Sequence, residues 1–241
     1  MSNLIYRPEI FENFYSSFYN YNISLFNEVK KRYIKPNTIL DLGCGTGLST
    51  RALAKIFNDS HILGVDSNES LIDKANASFI PINVDYKIFN AIKIDALEKK
   101  FDTIFIKSVY HLLEIESKSF LDKCFKILNE NGTIYIIERT EKSLKSFPLF
   151  DEAKELWKTQ YKAREGLCNL SKKYDVEHFT FGQHVSIPKE IYLKGISSKQ
   201  MSCLWSFNDM IIEEWINNNS VDEEEVKVLE EYDIFSIKQY S

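Results

Sequence analysis

Residues 39–47 read Ile39-Leu-Asp41-Leu-Gly43-Cys-Gly45-Thr-Gly47. A short apolar run closes on an acidic residue, and glycines then fall at alternate positions. Behind them, Leu48 to Phe57 carries Ala52, Leu53, Ala54 and Ile56, a helical run. Strand, glycine loop and helix in that order form the entry to a nucleotide-type pocket. Glycine suits such a loop because it turns tightly and lets a ligand approach the backbone with no side chain between.

The spacing and the acid narrow the ligand. A dinucleotide fingerprint reads G-x-G-x-x-G and offers helix-end N–H groups to an anionic pyrophosphate. Here the pattern is G-x-G-x-G, position 48 is Leu, and Asp41 stands two residues before the first glycine. A carboxylate there repels phosphate and suits a cationic amino group. No Gly-Lys-Ser/Thr follows, so the P-loop pattern fails as well. S-adenosylmethionine carries an amino group and a sulfonium and no phosphate, so the loop points to that cofactor, with S-adenosylhomocysteine as its product. Beyond the loop, His61-Ile-Leu-Gly-Val-Asp66 reads as a second strand ending in an acid, where a carboxylate can hold both ribose hydroxyls. A helix follows, with Ser67 or Asn68 as its N-cap.

At this point the chain resembles the class I S-adenosylmethionine-dependent methyltransferases. Their first motif matches Asp41 to Gly47, and their ribose-binding acid matches Asp66. The resemblance implies a cofactor site built from Asp41, Gly43, Cys44, Gly45, Gly47, Asp66 and Ser67. It adds Asn90 and Ala91 beside the adenine, and Ser108 at the end of the fourth strand. A loop Asn that merely caps its own turn is the competing reading for Asn90. The run Cys124 to Tyr135 looks like the family's helix, Leu-x-Pro-Gly-Gly turn and strand, with Glu130 in place of the proline and Asn131 in place of the first glycine.

Alternating strands and helices from Thr38 to Arg139 argue for a parallel sheet with helices on both faces. The third strand is read at Val84–Phe89 and the fourth at Phe101–Ile106. The helix from Ser117 to Leu128 is expected to end at Asn131-Gly132, before a fifth strand at Thr133–Ile137. Further on come a helix over Leu149–Arg164, a strand over Phe179–Ile187 containing His184, and a helix opened by Pro188. Another helix is capped near Phe207-Asn-Asp209, Asp222–Glu225 is an acidic stretch starting a short helix, and Tyr232–Tyr240 is a last antiparallel strand. The family closes its sheet in the same way. The expected fold is therefore α/β: a Rossmann-like, seven-stranded, mostly parallel sheet with an antiparallel last strand and a helical lid over the active site. One domain spans 1–241, with a lid at 1–36, a cofactor core at 37–139, and acceptor-side helices and closing strands at 140–241. Scattered residues of the carboxy-terminal part are also similar to the trans-aconitate methyltransferase-like branch, whose members methylate small acceptors.

Composition bounds the partners. The formal net charge is −5, and the arginines (Arg7, Arg32, Arg51, Arg139 and Arg164) do not cluster. A nucleic-acid substrate calls for a basic face, so a small-molecule acceptor is expected and nucleic acid is not. No apolar run reaches membrane-spanning length and no secretory h-region is evident, so no membrane partner and a cytoplasmic location are expected. Cys44, Cys124, Cys168 and Cys203 are widely spaced, which argues against a zinc site or a disulfide framework.

Methyl transfer is an in-line displacement, in which the protein binds the donor, aims the acceptor and excludes water. The acceptor belongs beyond the fourth and fifth strands, at Lys107-Ser-Val-Tyr-His-Leu112 and Glu138-Arg139. Lys-Ser-Val-Tyr stands where methylases of base amines or glutamine often carry Asn/Asp-Pro-Pro-Tyr/Phe, which counts against those acceptors. His111 is the candidate general base, against the plainer reading of a packing histidine in a loop-to-helix turn. Tyr15 and Tyr19, on the stripe Phe11, Phe14, Tyr15, Phe18, Tyr19, are candidate acceptor contacts, as are Tyr110, Trp157 and Arg164; core filling or a solvated surface is the alternative for each. Two other functions stay open: a cofactor-binding enzyme of different chemistry, such as a cyclase, and a non-catalytic regulator that senses the cofactor.

Overall fold

The structure, a computed structural model, describes residues 7–32, 35–113, 117–161, 167, 169–218 and 223–240. Its strands are β1 (Thr38–Leu42), β2 (His61–Asp66), β3 (Val84–Ile88), β4 (Phe101–Lys107), β5 (Leu128–Arg139), β6 (Asp175–Pro188) and β7 (Glu225–Lys238). They form one sheet in the order β3-β2-β1-β4-β5-β7-β6. The first five pair in parallel, whereas β7 runs antiparallel to both β5 and β6. This is the Rossmann-like, mostly parallel sheet expected from the sequence. Because β2 and β4 flank β1 on opposite sides, strand order reverses at β1/β4, and the crevice at the carboxyl ends of those strands is where such sheets hold ligands.

The central strands are apolar throughout because both their faces are covered. Alternate residues feed two buried clusters. Ile39, Phe105, Tyr135, Ile137 and Ile234 belong to one, and Leu40, Leu42, Ile104, Ile106, Ile134 and Ile136 to the other. Over the first cluster pack α1 (Pro8–Ser16), α2 (Tyr19–Lys30) and α3 (Leu48–Ile56). Over the second packs α5 (Ser117–Lys126), through Phe120, Leu121 and Cys124. α4 (Glu69–Ala77) lies against β2 and β3.

The amino-terminal aromatic stripe runs across two helices, with a break at Ser17–Phe18, and Phe14 and Phe18 are core. α1 lies over the glycine loop: a Cβ on Gly45 would sit 3.2 Å from the Phe11 ring. Glu12 anchors it there, accepting from Arg51 on α3 at 2.8 Å and from Lys74 on α4 at 3.2 Å.

Two stretches depart from the sequence-based expectation. Asn131-Gly132 does not end a helix. α5 stops at Lys126, and the β4–β5 register slips between Phe101↔Leu128 and Thr103↔Thr133. The extra residues form a bulge with Asn131 at φ +63°, a left-handed conformation Asn tolerates, and a Cβ on Gly132 would meet Leu128 Cγ at 2.5 Å. The acidic stretch does not start a helix either. β7 begins at Glu225, seven residues before the expected Tyr232, because Val226 and Val228 alternate with outward Glu225 and Lys227 against β6. Asp222 lies outside the described residues. The remaining elements are α6 (Glu141–Ser146), α7 (Asp151–Tyr161), α8 (Lys189–Ser197) and α9 (Asp209–Asn218), with the Asn208 side chain accepting from the Ile211 N–H at the start of α9.

A buried ion pair ties β7 to β5. Arg139 donates from Nε to Glu230 Oε2 (3.1 Å) and from Nη2 to Oε1 (2.6 Å), and Tyr232 Oη donates to the same Oε1 at 2.7 Å. The Arg139 guanidinium lies 5.4–5.8 Å from the rings of Phe18, Phe147, Trp157 and Tyr232. Removing one partner of such a pair strands the other charge in low dielectric. Glu230→Ala is therefore expected to cost about 3–5 kcal/mol in urea denaturation, far more than Glu141→Ala, whose carboxylate pairs with Lys145 on an exposed helix face.

Candidate active site

The loop after β1 holds its three glycines at positive φ: Gly43 at 78°, Gly45 at 56° and Gly47 at 81°. Backbone bonds fasten it to β2, with the Gly43 and Cys44 N–H groups both donating to Val65 O, at 2.7 and 3.0 Å. A Cβ on Gly43 would lie 2.2 Å from Val109 Cγ2, and one on Gly47 would lie 2.3 Å from Tyr86 Oη. Conformation and space both require glycine at these two positions.

Asp66, the last residue of β2, reaches back under this loop. Its Oδ2 accepts from the Gly45 N–H at 3.0 Å, and its Oδ1 accepts from the Asn68 N–H at 2.9 Å. Burial pushes its pKa up, against the pull of those N–H groups. Asn68 caps α4, its Oδ1 accepting from the Leu71 N–H, and Ser67 beside it is exposed. Asp41 is buried below the loop, where Thr50 Oγ1 on α3 donates to its Oδ2 at 2.6 Å. Burial lifts the Asp41 carboxyl to about 6; Thr50 and Lys107 oppose the rise, and Asp66 adds to it. The Cys44 thiol is buried and pushed up by desolvation and by the two carboxylates, which makes it unreactive.

Asn90 follows β3, and its Oδ1 accepts from the Ile92 N–H at 2.9 Å, capping a 3₁₀ turn over Ala91–Ala96. That oxygen keeps one lone pair for another donor. Ala91 packs against the second cluster.

At the end of β4 the backbone changes hand. Ser108 sits at φ +56°, unusual for a residue with a Cβ, and its N–H donates to Ile137 O at 2.9 Å. The turn lays Val109 on Gly43 and sends Tyr110 into the core against Phe120. It also brings His111 to Glu138, with Nδ1 2.9 Å from Oε2. Both side chains are largely buried, at 14% and 7% exposure. An Nδ1–H donated to the carboxylate leaves Nε2 with a free lone pair, the arrangement a general base needs. Glu138 Oε1 is buried with no hydrogen-bond partner among the described groups.

On the opposite face, Tyr15 Oη donates to Gln200 O at 3.0 Å, Trp157 packs edge-on against Phe147, and Tyr19 is partly buried. Arg164 lies outside the described residues. Two groups that sequence reasoning passed over join this face. Lys107 Nζ donates to Tyr232 Oη at 3.3 Å and lies 4.6 Å from the centre of its ring. Burial draws the Lys107 ammonium down to about 8, opposed by Glu230 and Asp41. Among the described residues, no group of three or more His, Cys, Asp or Glu is placed to hold a metal ion, and no helix is long and apolar enough to cross a membrane.

A folded pKa raised above the unfolded value means that the Asp41 contribution to stability is fully present below about pH 4 and is lost as pH rises through about 6. Across that window the protein is expected to lose up to about 3 kcal/mol relative to Asp41→Asn, measured by denaturant melts of both proteins without cofactor.

Comparison with known proteins bears on the fold and on the first part of the chain. Residues 39–132 match a family model described as a methyltransferase domain. The ubiquinone biosynthesis O-methyltransferase of Pelagibacter ubique is 29% identical over 142 residues, 51% of this chain and 57% of that protein. The malonyl-[acyl-carrier protein] O-methyltransferase of Bacillus cereus is 33% identical over 113 residues, 46% of this chain and 41% of that protein. The chain thus spans about half the length of these relatives. Among solved structures, the plantazolicin methyltransferase BpumL in complex with a triazolic desmethylPZN analogue and SAH shares the fold, with a TM-score of 0.56 at 19% identity over 96% of this chain and 90% of that one. The YcgJ protein of Bacillus subtilis shares it with a TM-score of 0.54 at 12% identity, over 92% of this chain and 100% of that one. Residues 39–132 of this chain are thus similar to a methyltransferase domain, on a fold shared with solved methyltransferase structures.

Proposed function

We propose that this chain transfers a methyl group from S-adenosylmethionine to an oxygen atom of a small organic molecule. The observation that carries the reading is the Asp66 carboxylate, held by the Gly45 and Asn68 N–H groups at the carboxyl end of β2, beside a loop whose Gly43 and Gly47 leave no room for a side chain. A ribose diol donates two hydrogen bonds, and a fixed carboxylate accepts both. On this reading Asp41, Gly43, Cys44, Gly45, Gly47, Ser67, Asn90, Ala91 and Ser108 surround the donor. Tyr15, Tyr19, Trp157 and Arg164 belong to the acceptor side, whereas Tyr110, expected there as well, is packed in the core against Phe120.

The bound cofactor supplies a methyl group activated by the sulfonium. The chain's own residues orient the acceptor, exclude water and take up its proton. For a hydroxyl acceptor, Nε2 of His111 receives the proton while Glu138 Oε2 holds Nδ1–H and stabilises the imidazolium that forms. Oxygen as the accepting atom is supported by this base and by the relatives, which are named as O-methyltransferases. The net charge of −5 supports a small acceptor over nucleic acid.

Calorimetry with S-adenosylhomocysteine tests the donor side. The protein is expected to bind it, and Asp66→Asn to weaken binding by about tenfold to a hundredfold, the worth of a hydrogen bond to a charged group. Absence of binding to the unaltered protein would sink the proposal. Once a hydroxyl acceptor is found by the gain of a methyl mass, His111→Ala is expected to lower kcat by about 100- to 10,000-fold near neutral pH. Glu138→Gln is expected to move the pH–rate profile while leaving cofactor affinity in place.

A further inference from the structure

In the cluster around Tyr232 one cation is held by a hydroxyl rather than by a carboxylate. Both Glu230 oxygens are taken by Arg139, and one of them also accepts from Tyr232. The Arg139 guanidinium is enclosed by Phe18, Phe147, Trp157 and Tyr232, which leaves it committed to Glu230. Lys107 is different. Its ammonium has three donors, and the contact that holds it is a 3.3 Å bond to the Tyr232 hydroxyl, which also accepts from Ser108 Oγ at 3.3 Å. Among the described residues, no carboxylate lies within ion-pair distance of it. The Glu230, Asp41 and Glu138 carboxylates act on it from beyond that distance, and none of them pairs with it directly.

The position of that charge matters as much as its sign. Lys107 is the last residue of β4, at the reversal of strand order, and is followed by the left-handed Ser108 and by Val109, which touches Gly43. It shares a sheet face with Asp41 and Arg139, under the aromatic helices α1 and α2. A partly buried ammonium that has given up much of its water, and that has gained a phenol and a ring face in return, has donors left for an anion set directly against it. Burial draws its pKa down, against the opposing pull of Glu230 and Asp41.

We propose that Lys107 is the anion-reading residue of the acceptor site, its Nζ pairing with a carboxylate carried by the small-molecule acceptor. This rests on the methyltransferase reading above and adds a substrate class to it. The carboxylate serves as a handle at the end of β4, while the oxygen deprotonated by His111 lies past the Ser108–Val109 turn. Ser108 and Tyr232 hold the ammonium in place through the shared hydroxyl. A purely structural lysine would fix Tyr232 and show no preference among ligands.

The test is titration calorimetry of benzoate and of its neutral counterpart benzamide into the complex of the full chain with S-adenosylhomocysteine. The unaltered protein is expected to bind benzoate at least about tenfold more tightly than benzamide. Lys107→Met is expected to abolish that preference and Lys107→Arg to keep it, with affinity for S-adenosylhomocysteine unchanged in both. Lys107→Gln serves as a second neutral variant should the methionine variant not fold, as judged by its melt. Equal binding of the two probes, no benzoate binding at about 10 mM, or a preference that survives in the neutral variants would each overturn the assignment. Failure of the unaltered protein to bind S-adenosylhomocysteine would instead remove the methyltransferase reading; the same benzoate titration without it would then decide Lys107 alone.

Discussion

The structure turns on the backbone hydrogen bond from Gly45 to the Asp66 carboxylate. A loop with three residues at positive φ has little of its own to hold it, since no helix or ladder satisfies its N–H groups. Here Val65 O takes two of them and Asp66 takes a third, so that β2 is both the neighbour and the clamp of the loop after β1. The same carboxylate receives the Asn68 N–H and so sets where α4 begins. Loop, second strand and second crossover helix are therefore located by one side chain. With Val109 packed on Gly43 and Tyr86 on Gly47, the loop has contacts above and below, and it reaches a ligand already shaped.

A second set of constraints is electrostatic. The carboxyl edge of the sheet buries Asp41, Glu138, Glu230, Arg139 and, partly, Lys107 within a few strand positions. Ionised groups in such surroundings cost stability unless each finds a partner. Glu230 and Arg139 satisfy each other, and Asp41 relies on Thr50. Glu138 is half satisfied by His111, and Lys107 has a hydroxyl where a carboxylate would serve better. The pairs that are complete belong to the framework. The two that are incomplete flank the Ser108–Val109 turn, beside which the acceptor is proposed to lie. Buried charges without a direct partner cost stability, and on the proposed reading a ligand at the crevice supplies what the framework leaves out.

Much of this was readable in the chain. Alternate glycines after Ile39-Leu-Asp-Leu can serve few purposes, and an acid at the end of the next strand narrows them to one class of ligand. The central strands are legible because double burial makes them apolar without interruption. What escaped depends on contacts between residues distant in sequence. Glu230 sits in a run of glutamates that looks like a solvated surface, and only pairing of β7 with β6 turns every second residue inward. Asn131-Gly132 follows a helix and satisfies the chemistry of a helix end as well as that of a bulge; the choice is made by β4, whose register it corrects. Lys107 and Glu138 are visible as residues, but their partners Tyr232 and His111 are brought to them by topology.

That bulge links the two halves of the proposed site. Consecutive residues of a strand point to opposite faces, so Glu138 and Arg139 send one charge to the His111 side and the other to the Lys107 side. A slip of one residue in β5 would exchange them, leaving His111 opposite a guanidinium and Glu230 opposite a carboxylate. The extra residues before Thr133 set the register in which Ile137 aligns with Lys107 and Arg139 with Tyr232. A turn remote from the proposed chemistry thus determines which face of the sheet carries the His111–Glu138 pair and which carries the Lys107 and Arg139 cations. In the proposed site the His111–Glu138 pair and the Lys107 ammonium act on one acceptor from two sides because both are referred to the same stretch of backbone, the left-handed turn at Ser108.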